Sequence, residues 1–286
     1  MMLLDGLFAP LEFEFMRNAL MIAFLMGILG AVVGSYLIVQ QMGMIGDVIS
    51  HAVLPGVSIA FFLGLNLSIG AFISGIMSAL VMAAIRTQSR IKVDTAMALT
   101  LPTFLGVGVI LISVLKTNRV DLSHILFGDI LGVRQEDVLQ ILIITLIILV
   151  LNQLFYKELQ FYTFDPLGAK ACGLPVNIMY FGLVCAITLT IVASMQTVGA
   201  LLVMSLLVGP AITAYLLVKE LYQMMILGSV LGIFSGISGM YISYYLDIPS
   251  GPAIVIVVFI SFVLALLFSP TQGILTAKKN NLKKVL

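Results

Sequence analysis

Apolar residues run along this chain in stretches of about twenty, and the polar residues gather in the short gaps between them. Crossing roughly 30 Å of hydrocarbon takes about 20 mostly apolar residues as a helix. Nine stretches qualify: 15–40, 47–64, 67–86, 95–115, 137–156, 176–195, 198–218, 223–246 and 252–268. The runs are continuous rather than alternating, and they far exceed the roughly 10 residues of a barrel strand. The pattern therefore predicts an all-α membrane helix bundle with eight to nine crossing segments. Stretch 47–64 leaves the count open, because it is glycine-rich and holds a charge and a proline; if it stops short of crossing, the N-terminus changes sides.

Composition gives the same class. Hydrophobic residues make up 61% of the 286 positions and charged residues only 9%, against about 25% charged in an ordinary soluble chain. Mean hydropathy is +1.20, so lipid must serve as solvent for most of the surface. We read a single transmembrane domain over 1–286, with a short N-terminal segment 1–14, a polar region 161–176 and a polar tail 270–286. A net charge of +1 with no long basic run excludes nucleic acid as a partner. Cys172 and Cys185 alone give neither a disulfide framework nor a thiolate metal site. Asp5, Glu12 and Glu14 precede the first basic residue, Arg17, whereas a secretory leader opens with positive charge, so the first apolar segment is expected to be retained.

Orientation follows from lysine and arginine, which stay on the cytoplasmic side. With nine crossings and the N-terminus outside, Arg86, Arg90, Lys92, Lys157, Lys170, Lys219, Lys278, Lys279, Lys283 and Lys284 lie inside, while Arg17, Lys116, Arg119 and Arg134 lie outside. That imbalance predicts a cytoplasmic C-terminus.

Gly30 and Gly34 form one small-residue pair at helical spacing, and Gly228, Gly232 and Gly236 form a longer row on one face. Such rows let helix backbones touch, within one chain or across a dimer seam. Nearly all carboxylates sit at segment ends, but Asp47 opens an apolar run and His51 follows four residues later on the same helix face. An ionisable residue inside a membrane segment is a candidate functional residue. Carboxylate oxygen with neutral imidazole nitrogen suits Mn, Fe or Zn. The competing readings are an Asp–His bond pinning two helices and Asp47 as a helix N-cap. Pro55 removes the helical hydrogen bond to the His51 carbonyl, leaving that oxygen as a further ligand or the mark of a packing kink. Two donors do not complete a metal site, which points to a second copy supplying Asp47 and His51 again across a two-fold axis.

The string Met44 to Gly56, MIGDVISHAVLPG, resembles the signature of the metal-permease family of ATP-binding-cassette importers, the manganese and zinc type. The resemblance continues through Asp121-Leu122 with Leu126-Phe127-Gly128, and through Phe164-Asp165-Pro166 with Ala169 and Gly173. It ends in Gln196-Thr197-Val198-Gly199-Ala200-Leu201-Leu202 with Pro210-Ala211 and Thr213-Ala214-Tyr215. It implies that Asp47 and His51 bind the transported metal and that permeases pair as homodimers in the bacterial cell membrane. It also implies a cytoplasmic ATP-binding subunit pair and an extracytoplasmic metal-binding protein that delivers cargo. Gln40-Gln41 stands where relatives often carry basic residues. Residues 161–176 resemble the coupling helix that docks into the ATPase, with Asp165-Pro166 as a helix start and Gly173 with Pro175 as a stop.

The chain has no G-x-x-x-x-G-K-[ST] loop, so ATP is expected to be hydrolysed by another subunit and the permease itself is expected to be no enzyme. No permanently bound cofactor is expected; the metal is cargo. Gly236-Ile237-Ser238-Gly239 looks like a rhomboid nucleophile motif, yet both histidines, His51 and His124, precede Ser238, and His124 is read as a surface residue. A proton-coupled secondary carrier would also use intramembrane Asp and His, but needs no polar helix at 164–173. For the ion, Met195-Gln196-Thr197-Val198-Gly199 looks more like manganese permeases than zinc ones, with zinc or iron as the alternative.

Overall fold

The computed structural model describes residues 9–88, 93–115 and 130–269. Arg90, Lys92, Lys116, Arg119, the block from Asp121 through His124 to Gly128, and the tail 270–286 lie outside the described residues. Eleven α-helices are present among the described residues: α1 (Glu14–Val39), α2 (Ile45–Leu63), α3 (Leu67–Gln88), α4 (Val93–Val114), α5 (Gln135–Leu154), α6 (Tyr156–Phe164), α7 (Pro166–Ala171), α8 (Val176–Val198), α9 (Ala200–Leu217), α10 (Leu221–Leu246) and α11 (Ser250–Phe268). No strand occurs among the described residues. Nine of the helices, all but α6 and α7, are long and apolar enough to cross a membrane.

The described chain divides into two compact, interleaved units. One holds the residues up to Ile38, those from 130 to Val150 and those from Leu201 onward. Here the glycines decide which helices touch. A Cβ on Gly232 would lie 2.8 Å from the Gly27 carbonyl oxygen, and one on Gly236 would lie 3.0 Å from the Ala23 Cβ. The backbones of α1 and α10 therefore meet directly. On α1, Gly30 lies against the Leu206 carbonyl and Gly34 against the Leu207 carbonyl of α9. Pro210 has no N–H to offer the Leu206 oxygen, so that carbonyl faces the Gly30 backbone instead, a weak C–H donor. All five glycines of the two rows thus pack within the chain, and no dimer seam is needed to account for them.

The other unit holds Val39 to 115 and Leu151 to Ala200, with α2 at its centre, packed by α3, α4 and α8. Gly56 and Gly70 bring α2 and α3 into backbone contact, Gly75 of α3 sits against Thr188 of α8, and Gly108 of α4 leaves room for Leu54 and Pro55. The proline that interrupts the α2 hydrogen-bond ladder thus has a niche cut for it in the neighbouring helix.

Two hydrogen bonds mark the ends of this unit. Gln40 Nε2 donates to Thr163 Oγ1 at 3.3 Å, joining the start of α2 to the end of α6. The Ser68 hydroxyl donates to Gln196 Oε1 at 2.7 Å, joining the start of α3 to the end of α8. Helices α2 and α8 therefore run side by side between the same two ends. With 19 residues, α2 is about 28 Å long, enough to cross. The stretch left open at 47–64 thus forms a helix that meets the length and hydropathy for crossing, like the other eight.

Candidate metal site and coupling surface

The turn before α2 passes through Gln41 in the left-handed region, φ 58°, and Met44 occupies the N-cap position without a side-chain cap bond. Asp47 is therefore not the cap; it lies inside the first helical turn. There the exposed N–H groups of the helix end favour negative charge, which offsets part of the cost of placing a carboxylate in an apolar segment. His51 follows one turn deeper.

Their flanks explain why both face one way. Val48, Ile49, Ser50, Ala52, Val53 and Leu54 are buried against neighbouring helices, whereas the Asp47 and His51 side chains are 48% and 23% exposed. Asp47 Oδ1 and His51 Nε2 lie 3.6 Å apart. At metal–donor lengths of about 2.1–2.2 Å, one ion held by both atoms would subtend an angle of about 110–120°. The pair is thus spaced to share an ion without leaving its helix. His51 Nδ1 is buried and makes no hydrogen bond, although a ligating imidazole usually donates its second N–H to an acceptor. No group of three or more His, Cys, Asp or Glu forms a metal cluster among the described residues, so one chain offers two side-chain donors.

The depth of the pair is held from behind. Ser74 on α3 donates its hydroxyl to the Ala52 carbonyl at 2.6 Å, directly after His51 and beside the segment that Pro55 weakens. Ser50 bonds back to the Gly46 carbonyl at 2.9 Å, so its hydroxyl serves the helix.

The polar region folds as two short helices, α6 and α7, rather than as one. Asp165 separates them: it is the α7 N-cap, with Oδ1 accepting from the Gly168 N–H at 2.8 Å, and Pro166 takes the first helical position, where its missing N–H costs nothing. Gly173 ends the helix at φ 82°. Ala169 is buried, while Leu167 is 81% exposed and Phe164 58%. Two large apolar side chains thus stand exposed on the polar connection between α5 and α8, a candidate contact surface. Beside it opens a cleft of about 380 Å³, lined among others by Gln40, Gln41, Thr163 and Asn177.

Ser238 donates to the Phe234 carbonyl at 2.6 Å, an ordinary helical back-bond. Sequence reasoning named the QTVGALL block but missed what it does locally. Gly199, at φ 82° and ψ 155°, sits in a region open essentially to glycine alone, and it is the single residue between α8 and α9.

The chain is similar to known proteins over nearly its whole length. The family model of the ABC 3 transport family matches residues 12–269. The manganese transport system membrane protein MntC of Listeria monocytogenes is 44% identical over 279 residues, covering 98% of each chain. The chelated iron transport system membrane protein YfeD of Yersinia pestis is 37% identical, covering 99% of this chain and 95% of its own. Among solved structures, PsaBC from Streptococcus pneumoniae in complex with Fab superimposes with a TM-score of 0.84 at 39% identity, covering 96% of this chain and 99% of that one.

Proposed function

The chain belongs to the ABC 3 transport family as the multi-pass membrane permease of an ATP-binding-cassette metal importer, and on that premise we propose that it conducts manganese(II) through a site built from Asp47 and His51. The permease is not itself catalytic; ATP is hydrolysed by a separate subunit. The observation that carries the proposal is the 3.6 Å pairing of Asp47 Oδ1 with His51 Nε2 on the open face of an otherwise packed helix. Carboxylate and imidazole without a thiolate suit a first-row divalent ion, and the relative MntC is named for manganese transport.

In this reading a second copy of the chain supplies the same two residues across a two-fold axis, giving four donors to one ion. One chain offers two side-chain donors among the described residues, which supports a site completed by a second copy. The two compact units act together as one permease domain. Leu167 and Phe164 present the apolar contact to the ATP-binding subunit pair, and Asp165, Pro166, Ala169 and Gly173 shape the helix that carries Leu167. An extracytoplasmic binding protein delivers the metal at the opposite face. Neutral Gln40 in the turn before α2, bonded to Thr163, ties the metal-site helix to this docking region without a charge.

Uptake of manganese by cells carrying Asp47→Ala or His51→Ala tests the site: both variants are expected to reach the membrane at normal level and to import at least about tenfold less, since each removes a ligand. Normal uptake at growth-limiting manganese would reject it. Iron(II) is the second reading, favoured by the likeness to YfeD; it uses the same donor pair.

A further inference from the structure

Arg17 is placed against the usual electrostatics of a helix. It lies in the first turn of α1, where the helix dipole disfavours a cation. Glu14, three residues before it, does not form an ion pair with it; Glu14 Oε1 instead accepts a hydrogen bond from Gln135 Nε2 at 3.0 Å. No ion pair within 4 Å involves the Arg17 guanidinium among the described residues. An exposed arginine on a membrane helix needs an anion or water at its head, with its stem lying on apolar surface.

The surface beside it is a groove. At this end α1 is tied to the start of α5 by Gln135 to Glu14, and to the stretch before α5 by Asn18 Nδ2, which donates to the Val133 carbonyl at 3.4 Å. Next to these ties runs a cavity of about 450 Å³, lined by Leu20, Met21, Phe24, Val138 and Leu142, with Arg17 its one charged lining residue. Arg17 stands 22 residues before Val39, about 33 Å along the helix. That is close to the hydrocarbon thickness, so Arg17 and the far end of α1 are spaced to reach the two headgroup levels of a bilayer.

We propose that this groove holds one glycerophospholipid, its phosphate paired with Arg17 and one acyl chain laid against Leu20, Met21, Phe24, Val138 and Leu142. Guanidinium binds phosphate through paired, charge-assisted hydrogen bonds, and the apolar lining accounts for the chain below the headgroup. A free phosphate meets the first requirement and not the second. Neither Asp47 nor His51 lines the groove, so the proposal does not depend on the ion carried.

The test is native mass spectrometry of the full chain after delipidation, titrated with dioleoylphosphatidylglycerol or with glycerol 3-phosphate, alongside the Arg17→Gln and Val138→Phe variants. Thermal unfolding in detergent confirms that both variants are folded. One phospholipid per chain is expected to survive on the wild type. Occupancy should fall at least about fivefold both when the charge is removed and when the groove is filled, and glycerol 3-phosphate should not compete. A wild type that retains no lipid, loss in only one of the two variants, or displacement by glycerol 3-phosphate overturns the proposal.

Discussion

The Ser74 hydroxyl of α3 meets the Ala52 carbonyl of α2 at 2.6 Å, one residue past His51. Helix α2 is weakest there, because Pro55 leaves the His51 carbonyl without its usual partner. A side chain from a neighbouring helix thus steadies the backbone that aims the imidazole.

Ser74→Ala is expected to lower stability by about 1 kcal/mol, the ordinary value of one such hydrogen bond, and to reduce metal uptake further than that loss alone explains. Thermal unfolding in detergent and uptake at matched membrane levels check the two effects. Unchanged behaviour in both would remove Ser74 from the description of the site.

Two helical glycines, Gly232 and Gly182, should respond oppositely. At Gly232 an added Cβ meets the α1 backbone at 2.8 Å, and neither backbone can yield cheaply, so Gly232→Ala is expected to destabilise and Gly232→Leu to prevent accumulation of folded protein. At Gly182 on α8 nothing lies within 4 Å, and alanine is the better helix former by about 1 kcal/mol. Gly182→Ala is therefore expected to raise the melting temperature. A reversed order would show that the close approach of α1 and α10 is misplaced.

That contrast shows where sequence reading stops. The crossing helices were legible because an apolar run of about twenty residues has one economical use in a bilayer. Asp47 and His51 stood out because a carboxylate and an imidazole at helical spacing interrupt such a run. Gly232, by contrast, was legible as part of a small-residue row, but not which helix it meets; only the structure sets it against Gly27 of α1 and leaves Gly182 open. The Ser68–Gln196 and Ser74–Ala52 bonds were hidden for a related reason, since a lone hydroxyl bonds back to its own helix as readily as to another. Asp165-Pro166 was read correctly as a helix start, but the short helix α6 before it, amid aromatic residues, had no separate signal.

The exposed apolar tip of α7 gives a prediction about energy coupling. Leu167→Asp is expected to leave the permease folded and still able to bind metal, while uncoupling transport from ATP hydrolysis, because it replaces an exposed apolar contact with a charge that must be desolvated at any interface. Asp165→Ala should act differently: it uncaps the Gly168 N–H, costing about 0.5–2 kcal/mol locally, and should weaken docking only partly. Measuring ATPase stimulation and transport on reconstituted complexes separates the two. Full coupling in Leu167→Asp would move the docking surface elsewhere.

The ion itself provides the last prediction. Oxygen and nitrogen donors rank divalent ions by the general affinity order, in which manganese binds weakest and zinc more tightly. Four side-chain donors across a two-fold axis would satisfy zinc as a closed tetrahedral set, and an ion so satisfied leaves slowly. Manganese is held less tightly by the same donors, so it is expected to pass on where zinc lingers. Affinity at Asp47 and His51 and throughput should therefore run in opposite directions: zinc is expected to bind the purified permease more tightly than manganese and to inhibit manganese uptake, while cells lacking the permease lose manganese rather than zinc. Metal content of such cells by elemental mass spectrometry, with zinc competition in uptake assays, checks both halves. Depleted iron with unchanged manganese would transfer the same site to iron(II), and depleted zinc would reject the argument that tight binding opposes release.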